Sequence, residues 1–411
     1  MKIIKKLFFL IVFNLLIFQD YLQTRITAMQ YFDEIVAYIF IFFAIITILV
    51  NKYKLSLQEF KVIFVILLIL VVGIIGNVVY KNQSIKYALL DFLLMFKFAF
   101  AYFVGRFLFN NISIFHLKKV INTEAQIIVV LLSVLILSNL VFNFFPIAEV
   151  RYGFPVQQLF FSHPTYLASF CTNLLVFLTL FAKYYRVNSL FILVDLLIIA
   201  SSLRAKALAF VFVYVLVWII ITMKRKIKIR SIIGIISFIV VLFIPVIKEK
   251  ILAHQDFARF LLYKYSLVIA KSNFPLGSGF GSFASFVSGK YYSPLYYYYG
   301  LNNTYGLSPD RYNFISDTFW PMIIGQLGFF GLLLFAYLIF IFLSMIYKRT
   351  KGNMHFRLAA FIPMLYLLIS STSESSFANP IAVSFFLVLG IILSDNSMKY
   401  FAKNEVQLYS K

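Results

Sequence analysis

Long apolar stretches, which follow one another along almost the whole chain, restrict its fold more than any other feature. A helix that crosses the hydrocarbon core of a bilayer needs roughly 20 apolar residues. Candidate spans lie at 7–23, 31–50, 62–79, 87–109, 125–145, 161–181, 189–203, 207–222, 231–247, 317–346, 356–373 and 378–394. These stretches lack the alternating pattern of outer-membrane β-barrel strands. The sequence therefore predicts an all-α, polytopic helical membrane protein with about 12 transmembrane helices in a single domain, residues 1–411.

The composition excludes an ordinary soluble domain. Apolar residues make up 62% of the chain and charged residues 13%, whereas soluble domains are nearer to about 45–50% apolar. The opening stretch, MKIIKKLFFLIVFNLLIF, has the charge and apolar length of a secretory signal, but the following QDYLQTRITAMQ offers no small-residue cleavage site. We therefore expect a retained first span.

The distribution of lysine and arginine predicts the orientation of the chain. If the amino terminus is cytoplasmic, the segments on that side receive 22 cations. The short loops opposite hold only Arg25, Lys81, Lys86, Arg151, Arg204 and Lys206. Because cytoplasmic loops are enriched in positive charge, we expect both termini in the cytoplasm and one large exterior loop, 248–316, between the ninth and tenth spans. This topology also accounts for the net charge of +22, so no nucleic-acid partner is expected.

The residue types that usually bind metals are few and scattered. The chain has one cysteine, Cys171, and its four histidines show no metal-ligand spacing. The sequence therefore predicts no metal site and no cofactor. One histidine, His163, precedes a proline at the expected start of a helix, where capping or a local hydrogen bond is favoured over catalysis.

Several ionisable residues fall inside predicted spans, where charges are costly and usually face a bundle interior or a wet cavity. They are Asp91, Lys97, Arg106 and Asp195. Asp91 and Lys97 are separated by about 240° around a helix of 3.6 residues per turn, so they do not pair along one face. For Lys97 and Asp195 we favour structural pairing between helices over a substrate role. Arg106, near the cytoplasmic end of its span, is expected to snorkel.

The stretch SSLRAKALAF, at 201–210, turns one predicted span directly into the next and leaves Arg204 and Lys206 on the exterior face. Two interpretations of these cations stay open. They are either snorkelling residues at a helix end or a fixed cationic point suited to a phosphate group, which a guanidinium binds in a bidentate manner.

Four exterior-facing motifs occur in a particular order along the chain. They are RYGFPVQQLFFSHPTYLASF at 151–170, SSLRAKALAF at 201–210, ARFLLYKYSLVIAKSNFPLGSGFGSF at 258–283 and SDTFWPMIIGQLGFFGLLLF at 316–335. Together they resemble the O-antigen polymerase and O-antigen ligase superfamily of polytopic glycosyltransferases. Members have a short Ser-x-Arg turn, a large exterior loop that begins with arginine and contains Pro-x-Gly-x-Gly, and a closing span with Gln/Glu-x-Gly-x-x-Gly. The four motifs span about 185 of the 411 residues.

One departure within the resemblance favours the polymerase branch. The ligases carry His-Asn eleven residues before the first glycine of the closing pattern, whereas this chain has Asp317 at that distance from Gly328. The resemblance thus implies a repeat-unit polymerase of O-antigen or capsule type in the bacterial cytoplasmic membrane, with membrane lipid, a flippase and a chain-length regulator as partners. The alternatives are a ligase-type glycan transferase and, in a different class, a lipid-linked sugar flippase or transporter.

The resemblance also implies a mechanism that needs no metal. A hydroxyl of one polyprenyl-pyrophosphate-linked oligosaccharide attacks the anomeric carbon of another and releases the lipid pyrophosphate. Arg204 and Arg259 correspond to the family's two functional arginines, and Arg151 and Lys206 are auxiliaries. Asp317 is the candidate general base, although aspartate is also common as a helix N-cap.

Two further features of the exterior loop have open interpretations. Gly277, Gly279 and Gly281 lie in PLGSGFGS, and residues 277–281 are called the glycine segment below. These glycines either present backbone N–H groups to a pyrophosphate or sugar or form a tight turn that requires positive φ. The tyrosine-rich run KYYSPLYYYYG, at 290–300, is expected to form an interfacial aromatic belt rather than a sugar-stacking surface.

Overall fold

The computed structural model of the protein describes residues 2–147, 149–222, 257–350 and 352–400, and this part is almost entirely helical. In chain order, the α-helices are α1 (Lys2–Ile17), α2 (Gln19–Gln23), α3 (Phe32–Glu34), α4 (Phe40–Asn51), α5 (Leu57–Tyr80), α6 (Ile85–Phe103), α7 (Lys118–Phe142), α8 (Pro164–Phe181), α9 (Asn188–Ser201), α10 (Ala205–Thr222), α11 (Phe257–Ser272), α12 (Phe286–Lys290), α13 (Pro294–Tyr298), α14 (Trp320–Arg349), α15 (Met354–Ser370) and α16 (Pro380–Ile392). Short 3-10 or π-helical segments lie at Thr27–Tyr31, Ile35–Ile39, Val104–Leu108, Ile114–Leu117, Leu301–Asn303 and Ser376–Ala378. Two short strands, β1 (Val150–Arg151) and β2 (Phe154–Pro155), pair antiparallel.

The lengths of the apolar helices confirm a multi-pass helical membrane protein. Within the described residues, six helical stretches are long and apolar enough to cross a membrane: Thr27–Asn51, Leu57–Tyr80, Ile85–Leu108, Ile114–Phe142, Pro164–Phe181 and Trp320–Arg349. Shorter apolar helices lie at Asn188–Ser201, Ala205–Ile220, Met354–Ser370 and Pro380–Ile392. The number of twelve spans and the location of the termini stay predictions. The predicted ninth span, at 231–247, lies outside the described residues.

A buried ion network joins α5, α14 and the segment after α6. Glu59, which is fully buried, accepts hydrogen bonds from Arg106 Nε at 2.7 Å and from Arg349 Nη2 at 3.1 Å. Arg106 Nη2 also donates to Asp395 Oδ1 at 2.8 Å. The Arg106 side chain is itself buried, bonded to the buried Glu59 and to the half-exposed Asp395, so the expectation that it snorkels is wrong. Removal of one partner from a buried ion pair typically costs about 3–5 kcal/mol, so this network helps to fix the helices in register.

The two other charges for which pairing was expected behave differently from each other. Lys97 Nζ lies 2.5 Å from Asp33 Oδ2, with both side chains buried, so the predicted pairing between helices is confirmed for Lys97. The pair joins α6 to α3. Asp195 of α9 is also fully buried, and it interacts not with a cation but with the Cys171 side chain of α8. Asp195 therefore contacts a neighbouring helix through a thiol, and no described cation forms an ion pair with it.

Helix α14 is interrupted at Gly328, where φ is 66° and ψ is −168°. An interruption removes helical partners from the carbonyls of the preceding turn, and in lipid such groups must be satisfied within the protein. The glycine segment provides these partners. The Ser278 N–H donates to Gly325 O at 2.9 Å, and the Gly279 N–H donates to Gln326 O at 2.8 Å. The glycine segment thus completes the hydrogen bonding of a broken helix.

Close packing explains why this segment is rich in glycine. A Cβ atom at Gly277 would lie 2.4 Å from the Gly328 nitrogen, and one at Gly279 would lie 2.5 Å from the Asn77 nitrogen. The side chain of Asn77 also holds the segment, because its Nδ2 donates to Phe280 O at 2.8 Å and its Oδ1 accepts the Phe280 N–H at 2.7 Å. Helix α5, the glycine segment and the break in α14 therefore form one unit, called the glycine junction below.

Candidate functional site

The turn between α9 and α10 positions two of the predicted cations. Leu203 adopts a positive φ of 45°, which reverses the chain within three residues of the end of α9. Arg204 follows in the turn, and Lys206 lies in the first turn of α10. The direct turn between helices that the sequence predicted at 201–210 is therefore confirmed.

Glu149 brings two arginines together. Its Oε1 lies 2.6 Å from Arg204 Nη2, and its Oε2 lies 2.9 Å from Arg151 Nε. Arg151 belongs to β1, whereas Arg204 follows α9. One carboxylate therefore links the segment before α8 to the turn before α10.

Arg259 and Asp317 form a separate ion pair. Arg259 lies in the first turn of α11, and its Nη2 donates to Asp317 Oδ2 at 2.9 Å. The N-cap residue of α14 is Phe319, and no side chain caps that helix. The alternative interpretation of Asp317 as a helix cap is therefore wrong. Asp317 lies in the loop before the helix, and its carboxylate is directed to an arginine instead.

A further ion pair links the start of α10 to the turn that follows α15. Lys206 Nζ contacts Glu374 Oε2, in the turn that follows α15. The next residue, Ser375, donates from Oγ to Ser316 O at 2.6 Å. This hydrogen bond ties the turn that carries Glu374 to the loop that carries Asp317.

These four ion pairs form one electrostatic unit, which we call the charged cluster. It consists of Arg151, Arg204, Lys206, Arg259, Asp317, Glu149 and Glu374. Asp317 interacts electrostatically with Arg259, Lys206 and Glu374, and Arg204 interacts with Arg151, Glu149 and Arg259. The five charged residues that the sequence predicted for the site are thus brought together from separate parts of the chain.

The environment of Asp317 suits a group that accepts a proton. Burial raises the pKa of its carboxyl above the usual range, although Arg259 and Lys206 act to lower it. The side chain is nevertheless 31% exposed, so solvent or a substrate can reach it. A carboxylate with a raised pKa near working pH is a better general base than an ordinary one.

Arg204 presents an unused donor in the charged cluster. Its Nε is buried and has no hydrogen-bond partner among the described residues. Burial, and then the charge of Arg151, lower the pKa of its guanidinium. A buried donor without a partner costs roughly 1–3 kcal/mol, and an anion that accepted this hydrogen bond would remove the cost. Guanidinium groups bind phosphate oxygens through two parallel N–H donors.

His163 borders the charged cluster. Its Nδ1 accepts the Thr165 N–H at 3.2 Å and caps α8, so the predicted capping role is confirmed. Burial, followed by the charges of Arg204 and Lys206, lowers the pKa of His163 to about 4. The imidazole is therefore neutral at pH 7. Since Nδ1 accepts a hydrogen bond, the ring proton is assigned to Nε2.

The glycine segment offers no free N–H groups of the predicted kind. The Gly277 N–H donates to Asn273 O at 3.1 Å. The Gly281 N–H donates to Asp91 Oδ2 at 2.8 Å, and that of Gly279 is used in the glycine junction. All three glycines have positive φ. Their observed role is the tight, positive-φ packing of the alternative interpretation, so pyrophosphate binding by these N–H groups forms no part of the proposal below.

The tyrosine-rich run divides between packing and exposure. Tyr291 stacks on Tyr87 with ring centroids 3.7 Å apart, and Tyr296 is fully buried. Tyr298, in contrast, is 80% exposed. Part of the run therefore stabilises the loop itself, and an interfacial belt stays a prediction for the exposed rings.

Two acidic members of the charged cluster, Glu149 and Glu374, escape sequence reasoning based on motifs. Acidic residues are scarce in this chain, 15 in all against 37 lysines and arginines. Glu149 stands two positions before Arg151, and Glu374 is the one acid in the polar stretch SSTSESSFANP between the last two predicted spans. The scarcity of acids outside the spans is the signal that would have identified both residues.

Comparison with known proteins leaves the family open. A scan against protein-family models found no match to this chain, and a search of curated proteins found none either.

Proposed function

We propose that the protein is a polysaccharide repeat-unit polymerase, of O-antigen or capsule type, in the bacterial cytoplasmic membrane. It joins polyprenyl-pyrophosphate-linked oligosaccharides at the exterior face without a metal. Twelve spans place both termini in the cytoplasm and the charged cluster outside. A flippase supplies the lipid-linked repeat, and a chain-length regulator limits the product. The four ordered motifs that resemble the O-antigen polymerase and ligase superfamily support this proposal.

The observation that carries the proposal is the convergence of Arg204 and Arg259 on one cluster that also contains Asp317. The two guanidiniums come from separate segments, the turn before α10 and the first turn of α11, and interact electrostatically despite their like charge. Like charges held close together are unfavourable unless an anion compensates them. Glu149 and Asp317 compensate these arginines in the absence of substrate, and a pyrophosphate has enough charge to replace both carboxylates.

Substrate binding is therefore an exchange of anions. The pyrophosphate of the donor lipid takes the donor groups of Arg204 and Arg259, and Arg151 and Lys206 add positive charge nearby. This exchange releases Asp317 Oδ2 from Arg259. The carboxylate then becomes available when the negatively charged leaving group is bound, which is the moment at which a base is required.

The reaction that follows balances without a cofactor. A hydroxyl oxygen of the acceptor sugar attacks the anomeric carbon of the donor sugar, and the bond from that carbon to the phosphate oxygen breaks. The electron pair leaves with the lipid pyrophosphate, whose developing charge the arginines stabilise. The hydroxyl proton passes to Asp317 and then to solvent. The product is a longer glycan on the acceptor lipid and one free polyprenyl pyrophosphate.

Deletion of the gene in its native host, followed by gel analysis of surface glycan, tests the proposal. Loss of the polymer ladder with retention of a single repeat supports a polymerase. A complete ladder that is not attached to its final acceptor contradicts the proposal and supports a ligase-type transferase. Complementation with the wild-type gene is the control for effects on neighbouring genes.

A transporter of lipid-linked sugars is the second candidate, because charges inside membrane helices often mark a transport pathway. The buried Lys97–Asp33 pair and the fully buried Asp195 are the observations that favour it. Purified protein in a vesicle distinguishes the two functions. A polymerase lengthens lipid-linked repeats that are added on the side of the charged cluster, whereas a transporter moves them across the bilayer and leaves their length unchanged.

A further inference from the structure

A polar cavity of about 200 Å³ lies next to the charged cluster and is not used by the mechanism above. Ser316 and Ser375 line it, and these residues are the direct neighbours of Asp317 and Glu374 in the chain. Their hydrogen bond, from Ser375 Oγ to Ser316 O, forms part of the wall that the cavity shares with the cluster. Phe286 also lines the cavity and is 51% exposed. A ligand can therefore enter from the surface and reach the neighbourhood of Asp317.

The charges of the cavity disfavour an anionic ligand. Glu34 and Asp91 place two carboxyl groups in the lining. The single lysine that lines it, Lys97, is already compensated by Asp33 at 2.5 Å. Lys290 is within electrostatic reach of Glu34 but does not line the cavity, so a phosphate or carboxylate there would meet two like charges directly. The cavity therefore differs in chemistry from the charged cluster beside it.

The remaining chemistry excludes a metal ion and a lipid tail. No group of three or more histidine, cysteine or acidic residues in the described part of the chain is placed to hold a metal. Seven of the twelve lining residues are polar. An acyl chain in contact with them would leave their polar groups without hydrogen bonds, which is costly. A neutral ligand with several hydroxyl groups is the class that remains.

The lining provides both the polar and the apolar groups that a ligand with a hydroxylated ring requires. The carboxylate of Glu34 and the amide of Asn379 make no hydrogen bond among the described residues and are available to hydroxyl groups. Leu94, Met95 and Phe286 supply apolar surface for the C–H faces of a ring. A cavity of about 200 Å³ is smaller than the roughly 300–1,000 Å³ of typical small-molecule sites, which suits one sugar ring and not an oligosaccharide.

We propose that this cavity binds one neutral sugar ring of the acceptor oligosaccharide and directs a hydroxyl of that ring to Asp317. The assignment to the acceptor rests on the proposed polymerase function, whereas binding of a sugar ring in the cavity can be measured without it. Glu34 and Asn379 select among sugars through their hydroxyl positions. The charged cluster, in contrast, binds the pyrophosphate of the donor and is indifferent to the sugar.

Thiol labelling provides the test, because the chain has a single cysteine, Cys171, which is fully buried. The variant Asn379→Cys places a reactive thiol in the lining of the cavity. It is purified in a detergent without a sugar headgroup, and its labelling rate by a cationic methanethiosulfonate is measured with and without methyl glycosides of common hexoses and N-acetylhexosamines. Wild-type protein reports any reaction of Cys171. Asn303→Cys, at an exposed asparagine in the loop before α14 and outside the cavity lining, is the matched control.

At least one glycoside is expected to slow the labelling of Asn379→Cys, by about tenfold when its concentration is nine times its dissociation constant. The labelling of Asn303→Cys is expected to stay unchanged. Because Asn379→Cys removes an amide that the proposal places on the sugar, Ser316→Cys, at another lining residue whose side chain has no assigned sugar contact, is measured in the same way. Equal rates with and without every glycoside in both variants, or equal slowing of Asn303→Cys, would overturn the assignment of the cavity. Failure of the polymerase proposal is read separately, from the length of lipid-linked product.

Discussion

Arg259 and Asp317 form an ion pair, with Nη2 2.9 Å from Oδ2, although they are 58 residues apart in the chain. Both side chains are about one third exposed, at 35% and 31%. Ion pairs with this much solvent contact contribute only about 0–1 kcal/mol to stability. The pair therefore does little to hold the fold together, and its position in the charged cluster is better explained by the exchange of anions that the mechanism requires.

Replacement of Asp317 by asparagine tests its role as a base. Asparagine retains an oxygen that accepts a hydrogen bond from Arg259 but cannot take up the proton, so the fold is preserved. We expect the rate of polymerisation of a purified lipid-linked repeat to fall on the order of 10²–10⁴-fold. Asp310→Asn, at an exposed acid of the same loop, serves as the control and should match wild type. An Asp317→Asn rate within a few-fold of wild type would remove Asp317 from the mechanism.

Arg204 and Arg259 should each be essential for the same reaction. Loss of one preorganised donor to a developing negative charge typically costs about 10²–10³-fold in rate. We expect at least that loss in Arg204→Ala and Arg259→Ala, with only weak rescue by lysine because a point charge cannot replace a bidentate guanidinium. Arg311→Ala, at an exposed arginine of the loop, should retain activity. Normal polymer ladders from both alanine variants at matched protein levels would contradict the pyrophosphate-binding assignment.

The pH dependence of the rate should report the raised pKa of Asp317. A base must be ionised, so activity is lost as the pH falls through its folded-state pKa. Since burial raises that pKa, the acid limb of kcat/KM should lie above the usual aspartate value of about 3.9. The negative charge of Glu374 also raises the pKa, so Glu374→Gln should move the limb to lower pH. The pH profiles of the two proteins provide the measurement, and an upward movement would show that another group controls the limb.

The glycine junction should tolerate no side chain at Gly279. Alanine there adopts a φ of +89° with its Cβ 2.5 Å from the Asn77 nitrogen. Gly153 has a φ of +80° but open space around its Cβ position. We expect strain of roughly 1–2 kcal/mol in both alanine variants and a further cost of about 1–3 kcal/mol from overpacking in Gly279→Ala alone. Thermal unfolding of the two purified variants is the comparison, and equal midpoints would contradict the packing role.

The orientation of the chain can be tested with reporter fusions. The cation distribution predicts cytoplasmic signals from fusions at Arg225 and Lys351 and an exterior signal from a fusion near Tyr298. A phosphatase that is active only outside the cytoplasm and a fluorescent protein that folds only inside give complementary signals. An exterior signal at Arg225 would place the charged cluster on the cytoplasmic side and contradict the proposed reaction.

Features that depend on local composition could be predicted from the sequence. Apolar length alone predicts the helices, because lipid leaves the backbone few alternatives. The turn at Arg204 follows from the short polar stretch SSLRAK, which leaves almost no linker between two apolar spans. The order of the four motifs was sufficient to select Arg151, Arg204, Lys206, Arg259 and Asp317, which the fold then brings into one cluster.

Features that depend on contacts between distant segments could not be predicted. Hydropathy does not distinguish a continuous helix from one broken at Gly328, because the residues on both sides of the break are equally apolar. The hydrogen bonds of the glycine N–H groups could not be predicted either, because their acceptors include Asp91 and Gln326 from other helices. For the same reason, Arg106 was expected to reach the surface, although its side chain is buried and bonded to the buried Glu59 and the half-exposed Asp395.

The glycine junction has a consequence for the biogenesis of the protein. The hydrogen bonds between Asn77 and Phe280 join residues that are 203 positions apart, and the remaining partners of the junction lie still later, in α14. During synthesis, α5 enters the membrane well before the segments that satisfy the Asn77 amide have left the ribosome. The Asn77 amide therefore has none of these partners, in the bilayer or beside the insertion machinery, until the later segments are inserted. Glu374, a member of the charged cluster, lies after α14 and α15, so the charged cluster is complete only after nearly the entire chain has been inserted.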